Sequence, residues 1–428
     1  MKNLEKALWL LAIAGFIAGG YGLYDRIANG HVNVSYGSYV PWGLWVAAYI
    51  YLVGVSAGAF LISTLVYAFG IQKLAKIGKL ALFTAIITLG ISLFSIWLDL
   101  GHPERVLRLA FATNFGSMMG WMIWLYAAYF VLLLVELWFA LRVDFVAWSN
   151  RSGVAGSLAR ILSFGKRDVS EQAVARDHRV LKVLGSIGIP LAIAFHGGVG
   201  SLFGVIGARP YWNSGLTPVM FIIGALLSGG ALLTFVTLVF GPDPGSAENK
   251  ETVVLLGKIT LGLLALDVIL EFAEYLTGLY ASIPAEAASL RTVLFGPYAW
   301  VFWGVHVLLG IVVPAAVLLW RGKSATWAGL AGLLIAFTFF SVRLNVVIPG
   351  ETVPEFMGLV NAFTGPGLTY DYFPTLTEWL VQIWIVSTGV LAFLIGYHIL
   401  PVVPGNVQAS GERVVKPVQA KTAGAVGE

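Results

Sequence analysis

Apolar residues in this chain fall in long continuous runs, not in the three-and-four spacing that marks a soluble amphipathic helix. Ten runs stand out, at about 7–24, 42–70, 80–98, 118–141, 182–206, 219–240, 252–280, 298–320, 325–348 and 378–400. Each reaches about the length needed to cross a hydrocarbon core in helical form. The pattern predicts an all-α polytopic membrane protein with ten transmembrane helices. Composition agrees: 58% of the 428 residues are hydrophobic and only 11% charged, which excludes an ordinary soluble domain. Lys2 and Lys6 precede the first run, which reads as a retained helix and not as a cleaved signal peptide.

Charge placement then orients the spans. Lys and Arg concentrate at the N-terminus, in the loops after spans two, four, six and eight, and in the C-terminal tail. The segment 142–181 alone carries Arg142, Arg151, Arg160, Lys166, Arg167, Arg176 and Arg179, and reads as a basic, solvated connection. By the positive-inside rule both termini are expected in the cytoplasm, with the chain in the cell (inner, cytoplasmic) membrane. The other loops face outward. Three of them, Gly207–Pro218, Ala281–Pro297 and Pro349–Thr377, are rich in Pro, Gly and aromatics, the chemistry of lids and docking surfaces. The tail from Val402 reads as flexible.

The spans also echo one another. Pro41 and Ser56-Ala-Gly-Ala59 in span two match Pro218 and Ser228-Gly-Gly-Ala231 in span six. Gly78-Lys79 matches Gly257-Lys258, and Phe115-Gly116 matches Phe295-Gly296, at a near-constant separation. Spans two to five and six to nine thus read as two four-helix bundles related as a parallel repeat, with spans one and ten peripheral. The implied divisions are 1–41 (first helix and outward loop), 42–206 (first bundle), 207–348 (second bundle) and 349–428 (outward loop, last helix and tail). The small-residue clusters are expected to let helices approach closely.

Candidate chemistry gathers in three places. The first is the outward stretch Asp99–Trp121, which holds Asp99, His102, Glu104, Arg105, Arg108, Asn114 and Trp121. An Asp and a His at the edge of a membrane can exchange protons between water and a neutral redox carrier such as a quinone. Tyr36, Tyr39, Trp42, Asn114 and Trp121 are available for stacking and hydrogen bonding to such a ring. The second is span seven, where Asp267, Glu271 and Glu274 share one helical face over about 10 Å. Intramembrane carboxylates are functional candidates by default. These could pass protons, or could form a structural network with Arg343 of span nine or His306 of span eight. Glu136 in span four stands alone. The third is the pair His196 and His306, whose depth would suit the two axial ligands of a b-type haem, although a buried, hydrogen-bonded imidazole is the commoner case. The chain has no Cys, which excludes disulfides, thiolate chemistry and a Cys-ligated iron–sulfur cluster of its own. Nothing points to nucleic acid.

Several of these motifs together resemble the polysulfide reductase membrane-subunit family, often called NrfD-like. The resemblance rests on Pro41-Trp-Gly-Leu44, Ser56-Ala-Gly-Ala59, and Gly101-His-Pro-Glu-Arg105 through Asn114-Phe-Gly-Ser117. The ten-span branch is suggested by His196-Gly-Gly-Val-Gly200, Arg209-Pro-Tyr-Trp212 and Ser228-Gly-Gly-Ala231. It departs from many relatives in having Thr113 where they have Pro, and in Met119-Gly120 where some have larger residues. The resemblance implies a subunit with no metal or haem of its own that reacts with menaquinone or ubiquinone. It also implies a docked ferredoxin-like partner carrying [4Fe–4S] clusters, and a molybdopterin catalytic subunit or a multihaem cytochrome beyond it. Carried onto this chain, the quinone pocket falls at Tyr39, Trp42, Asp99, His102, Asn114 and Trp121. His196, Asp267, Glu271, Glu274, His306 and Arg343 are then candidates for a proton path. The alternatives are a secondary transporter with parallel repeats and a b-type cytochrome.

Overall fold

The structure is a computed structural model. It describes residues 2–403 except Ser282, Glu355, Met357, Asn361 and Thr364. The tail read as flexible lies almost wholly outside the described residues. Among the described residues, ten helices are long and apolar enough to cross a membrane. They are α1 (Lys2–Asn29), α2 (Leu44–Tyr67), α3 (Gly78–Asp99), α4 (Met118–Trp148) and α5 (Glu171–Gly204). There follow α6 (Thr217–Phe240), α7 (Ala247–Ala281), α8 (Val301–Arg321), α9 (Ala325–Thr352) and α10 (Leu376–Ile399). The chain is an all-helical, multi-pass membrane protein.

The ten helices coincide with the ten apolar runs, but α4, α5 and α7 extend past them into polar sequence. At about 1.5 Å per residue the 35 residues of α7 span roughly 50 Å, more than the hydrocarbon core requires. The segment 142–181 is therefore not an ordinary solvated connection. It contains the end of α4, a short helix Gly153–Leu162 and the start of α5, tied by a buried ion pair of Arg142 with Asp177 at 2.5 Å.

Helix α2 is the hub, with Leu44, Trp45, Ala47, Val53 and Phe60 wholly buried. It contacts α3, α5, α6 and the second half of α9. Helices α2 to α5 pack each on the next, with α5 returning to α2, and α6 to α9 do the same. Reading these two rings as a parallel repeat rests on the sequence motifs. Helix α1 packs on α10, and α10 on α3.

The two small-residue clusters meet each other where α2 crosses α6. A Cβ on Gly58 would lie 2.1 Å from the Ala225 carbonyl, and one on Gly229 would lie 2.6 Å from Gly58 Cα. Backbone touches backbone there, so a branched side chain has nowhere to go. Gly58→Val is expected to cost about 1–3 kcal/mol through overpacking. A thermal unfolding curve in detergent checks it, and an unchanged midpoint would show that the crossing is slack.

Two helices are irregular. Over Val301–Val312 α8 winds as a π-helix, then tightens to α over Val313–Arg321. Pro314 sits at the join and has no N–H to donate, so the wide winding accommodates a ladder that is already broken. Helix α9 is interrupted at Phe339, where the hydroxyls of Thr338 and Ser341 bond back to carbonyls of the preceding turn at 2.7 and 2.5 Å.

Candidate functional site

The C-terminal ends of α3 and α9 and the N-terminal ends of α4 and α10 lie at one end of the molecule, with the long loops. A helix C-terminus leaves carbonyls without partners. Here arginines from elsewhere in the chain supply them. Arg26, buried near the end of α1, donates to the carbonyls of Leu98 and Leu100, both at 2.7 Å. Arg209 donates from the α5–α6 loop to Gly350 and Val353 at 3.0 and 2.9 Å. The guanidinium of Arg26 thereby fixes the turn that carries Asp99.

Asp99 hydrogen-bonds Tyr36, and its Oδ1 is buried with no hydrogen-bond partner. The Tyr36 hydroxyl lies 3.3 Å from His31 Nε2, and the Tyr36 ring packs edge-on against Trp45. Burial raises the Tyr36 phenol, so it stays protonated at working pH. Burial, reinforced by the positive charge of Arg26, holds the His31 imidazole below its ordinary value. The cluster therefore presents a carboxylate, a phenol and an imidazole that is neutral at pH 7.

The other candidates at this end are placed differently. His102 is exposed, with Nδ1 3.0 Å from Glu104. Asn114 is also exposed and turns its Oδ1 onto the Gly116 N–H, while the half-exposed Trp121 donates to the Phe115 carbonyl at 2.8 Å. Gly120 is required by the same turn, since a Cβ there would lie 2.2 Å from the Asn114 carbonyl. Tyr39 stacks on Tyr370 at 4.8 Å, with its hydroxyl buried. Trp42 stacks on Trp212 at 5.7 Å and gives its backbone N–H to Glu351 at 2.9 Å. Geometry thus groups Asp99 with Tyr36, His31 and Arg26, and sets His102 apart on the surface.

Sequence reading passed over Arg26 and His31. A clue was available: Asp25 and Arg26 directly follow the first apolar run, and both are buried. Glu378 was also missed. It closes a capping box with Thr375 at the start of α10, accepts from Ser35 N at 2.8 Å, and takes the Tyr372 hydroxyl. It is wholly buried and joins the first loop to the last helix.

The second polar group lies within the ring of α6 to α9. Glu271 bonds His306 Nε2 at 2.7 Å. Glu274 accepts from the Ser214 hydroxyl at 3.4 Å. Asp267 and Arg343 face the same small cavity, of about 60 Å³, and come together beside Gly224. The cavity lies between α2, α6, α7 and α9, and Glu271 and Glu274 also line it. Towards the loop-rich end, burial lifts the carboxyl of Glu286 above its ordinary value. All three α7 carboxylates thus face polar partners inside the protein. His196, on α5, is buried with neither nitrogen in a formed hydrogen bond. Among the described residues no group of three or more acidic, His or Cys side chains is placed to hold a metal ion.

Fold and site define a polytopic helical membrane protein with a polar cluster at one end and a carboxylate network in its interior. Comparison with known proteins makes the family explicit. Residues 33–355 match the family model described as polysulphide reductase, NrfD, and the chain belongs to that family. It is 37% identical to a selenate reductase subunit of Mesobacillus selenatarsenatis, over 92% of this chain and 93% of the relative. It is 26% identical to the Hdr-like menaquinol oxidoreductase integral membrane subunit of Archaeoglobus fulgidus, over 85% and 86% of the two chains. It is 23% identical to the menaquinone reductase integral membrane subunit of Nitratidesulfovibrio vulgaris, over 94% and 93%.

Proposed function

We propose that this chain is the quinone-reactive membrane subunit of a respiratory oxidoreductase, exchanging electrons between the quinone pool and an iron–sulfur partner docked on the loop-rich end. The observation that carries the reading is the half-buried Asp99 carboxylate, held by Tyr36 with one buried oxygen left open, and a neutral His31 on the same phenol. Two-electron quinone chemistry moves two protons, so the site needs groups that give and take them at each carbonyl. Asp99 and His31 exchange protons, and Tyr36 and Arg26 hold Asp99 in place. The aromatic rings of Trp45, Trp42 and Tyr39 supply apolar walls. The names of the two menaquinone-linked relatives favour menaquinone over ubiquinone.

In this reading the first bundle, 42–206, carries the quinone site and the second, 207–348, a proton path along Asp267, Glu271, Glu274, His306 and Arg343. The electrons reach a ferredoxin-like subunit with [4Fe–4S] clusters and then a molybdopterin subunit or a multihaem cytochrome, since this chain has no Cys to hold clusters. The positive-inside rule supports both termini in the cytoplasm and the loop-rich end facing outward.

The test is the pH dependence of quinol oxidation by the native complex in detergent. His31 must be neutral to take a proton, and its value lies below the ordinary 6.5 or so of free imidazole. The rate is expected to hold as pH falls through 6.5 and to drop only under more acid conditions. His31→Gln should remove that acid limb and lower turnover at least tenfold, whereas His102→Ala should keep most of it. A site that depends on His102 and ignores His31 would refute this arrangement.

A further inference from the structure

The cavity beside Arg343 has a size that limits its contents. At about 60 Å³ it holds on the order of four to six waters, and it is well below the roughly 150 Å³ that admits a benzene ring. It is no second quinone site. Its walls carry Asp267, Glu271, Glu274 and Arg343, so it is polar enough to be wet.

Its wall on the α2 side is Tyr51 and Gly54. A Cβ at that position would lie 3.1 Å from His196 Cε1 and 3.3 Å from Nε2. The imidazole edge of His196 therefore packs against the bare backbone of α2 at a residue that lines the cavity, and any side chain at position 54 would press on the ring. His196 is 1% exposed, and neither of its nitrogens makes a formed hydrogen bond. Buried polar groups are nearly always satisfied, by protein or by water. Across the seam, Phe221 touches both sides. Arg343 lies 4.0 Å over its ring, His196 packs against it at 6.0 Å, and its carbonyl faces both the imidazole and Arg343 Nη2 at 3.4 Å.

We propose that the notch at Gly54 joins His196 to the water chamber, making His196 the relay between the α7 carboxylates and the interior of the first bundle. This deepens the proton-path reading and rests on it. The step moves one proton and no electrons. The Asp267 carboxyl loses a proton to the chamber waters, His196 Nε2 gains one from them, and the resulting carboxylate is left beside Arg343. Gly54 is a positioning residue here, since it makes room and touches no proton itself.

The experiment uses the native complex in liposomes, with quinol turnover and protons moved per electron read together. Gly54→Ala is expected to keep turnover within about twofold and to lower the proton ratio by at least half. Gly54→Ser should restore part of the ratio, because its hydroxyl can stand in for the lost water. Asp267→Asn is run in parallel. If Asp267→Asn lowers the ratio and Gly54→Ala does not, the notch is refuted while the path stands. If neither lowers it, the path itself fails. Imidazole hydrogen exchange in ¹⁵N-histidine-labelled wild-type protein, assigned with His196→Phe, needs no variant at Gly54 to fold. Exchange of His196 within hours supports the water connection, and protection over days overturns it.

Discussion

Asp99→Asn is expected to reduce quinol oxidation by about a hundredfold or more, the usual scale for losing a positioned proton-transfer group. Asparagine keeps the size of the side chain and can still meet Tyr36, but it cannot take a proton. The turn that carries it is held independently by Arg26 through the Leu98 and Leu100 carbonyls, so the fold should survive. The loss should therefore fall on kcat more than on KM, with partner subunits still bound. Arg26→Met provides the contrast. It frees the α3 terminus as well as the charge, and should impair quinol affinity and thermal stability together. Full turnover in Asp99→Asn would move the quinone site elsewhere in the chain.

The second large effect concerns the opposite end of the molecule. Arg142 is buried, bonds Asp177 at 2.5 Å and reaches the Asp168 carbonyl at 2.6 Å. Arg142→Met leaves Asp177 buried with only the mostly exposed Arg176 at 4.0 Å as compensation. Breaking one partner of a buried pair costs on the order of 3–5 kcal/mol, most of it the uncompensated charge. Removing both, as Arg142→Met with Asp177→Leu, should recover much of that loss. Thermal unfolding of the three variants decides it, and quinol turnover at permissive temperature should be unchanged in each. If the double variant is no better than the single, the arginine matters for its bond to Asp168 and for packing, not for neutralising Asp177.

These two expectations differ in how legible they were. The spans could be read because membrane burial demands continuous apolar length, and that signal needs no tertiary information. Asp99 and Tyr36 could be named because polar groups at the rim of a span are conspicuous. Their association with His31 and Arg26 could not, since Arg26 and Leu98 lie 72 residues apart and meet only through the packing of α1 near α3. His102 stood out in the sequence and His31 did not, yet folding leaves His102 exposed on Glu104 and brings His31 to Tyr36. The extension of α4 and α5 was hidden because helices outside the bilayer carry charge and read as solvated loop. In span seven the carboxylates and their partners were both visible in the sequence. That Glu271 takes His306 while Asp267 is left to Arg343 is decided by helix rotation, which apolar runs do not encode.

The wide winding of α8 bears on that rotation. Over Val301–Val312 the hydrogen bonds skip one residue more than in an ordinary helix, so the usual arithmetic of faces fails there. Tightening the winding between His306 and Pro314 to that of an ordinary helix, with no residue removed, would make each step turn further and swing everything before it round the helix axis. The imidazole would then point away from Glu271 although no residue of the pair had changed. The winding of this stretch is thus as much a determinant of the interior ion pair as the identity of residue 306. A relative one residue shorter here, wound as an ordinary helix, would present its histidine on the same face.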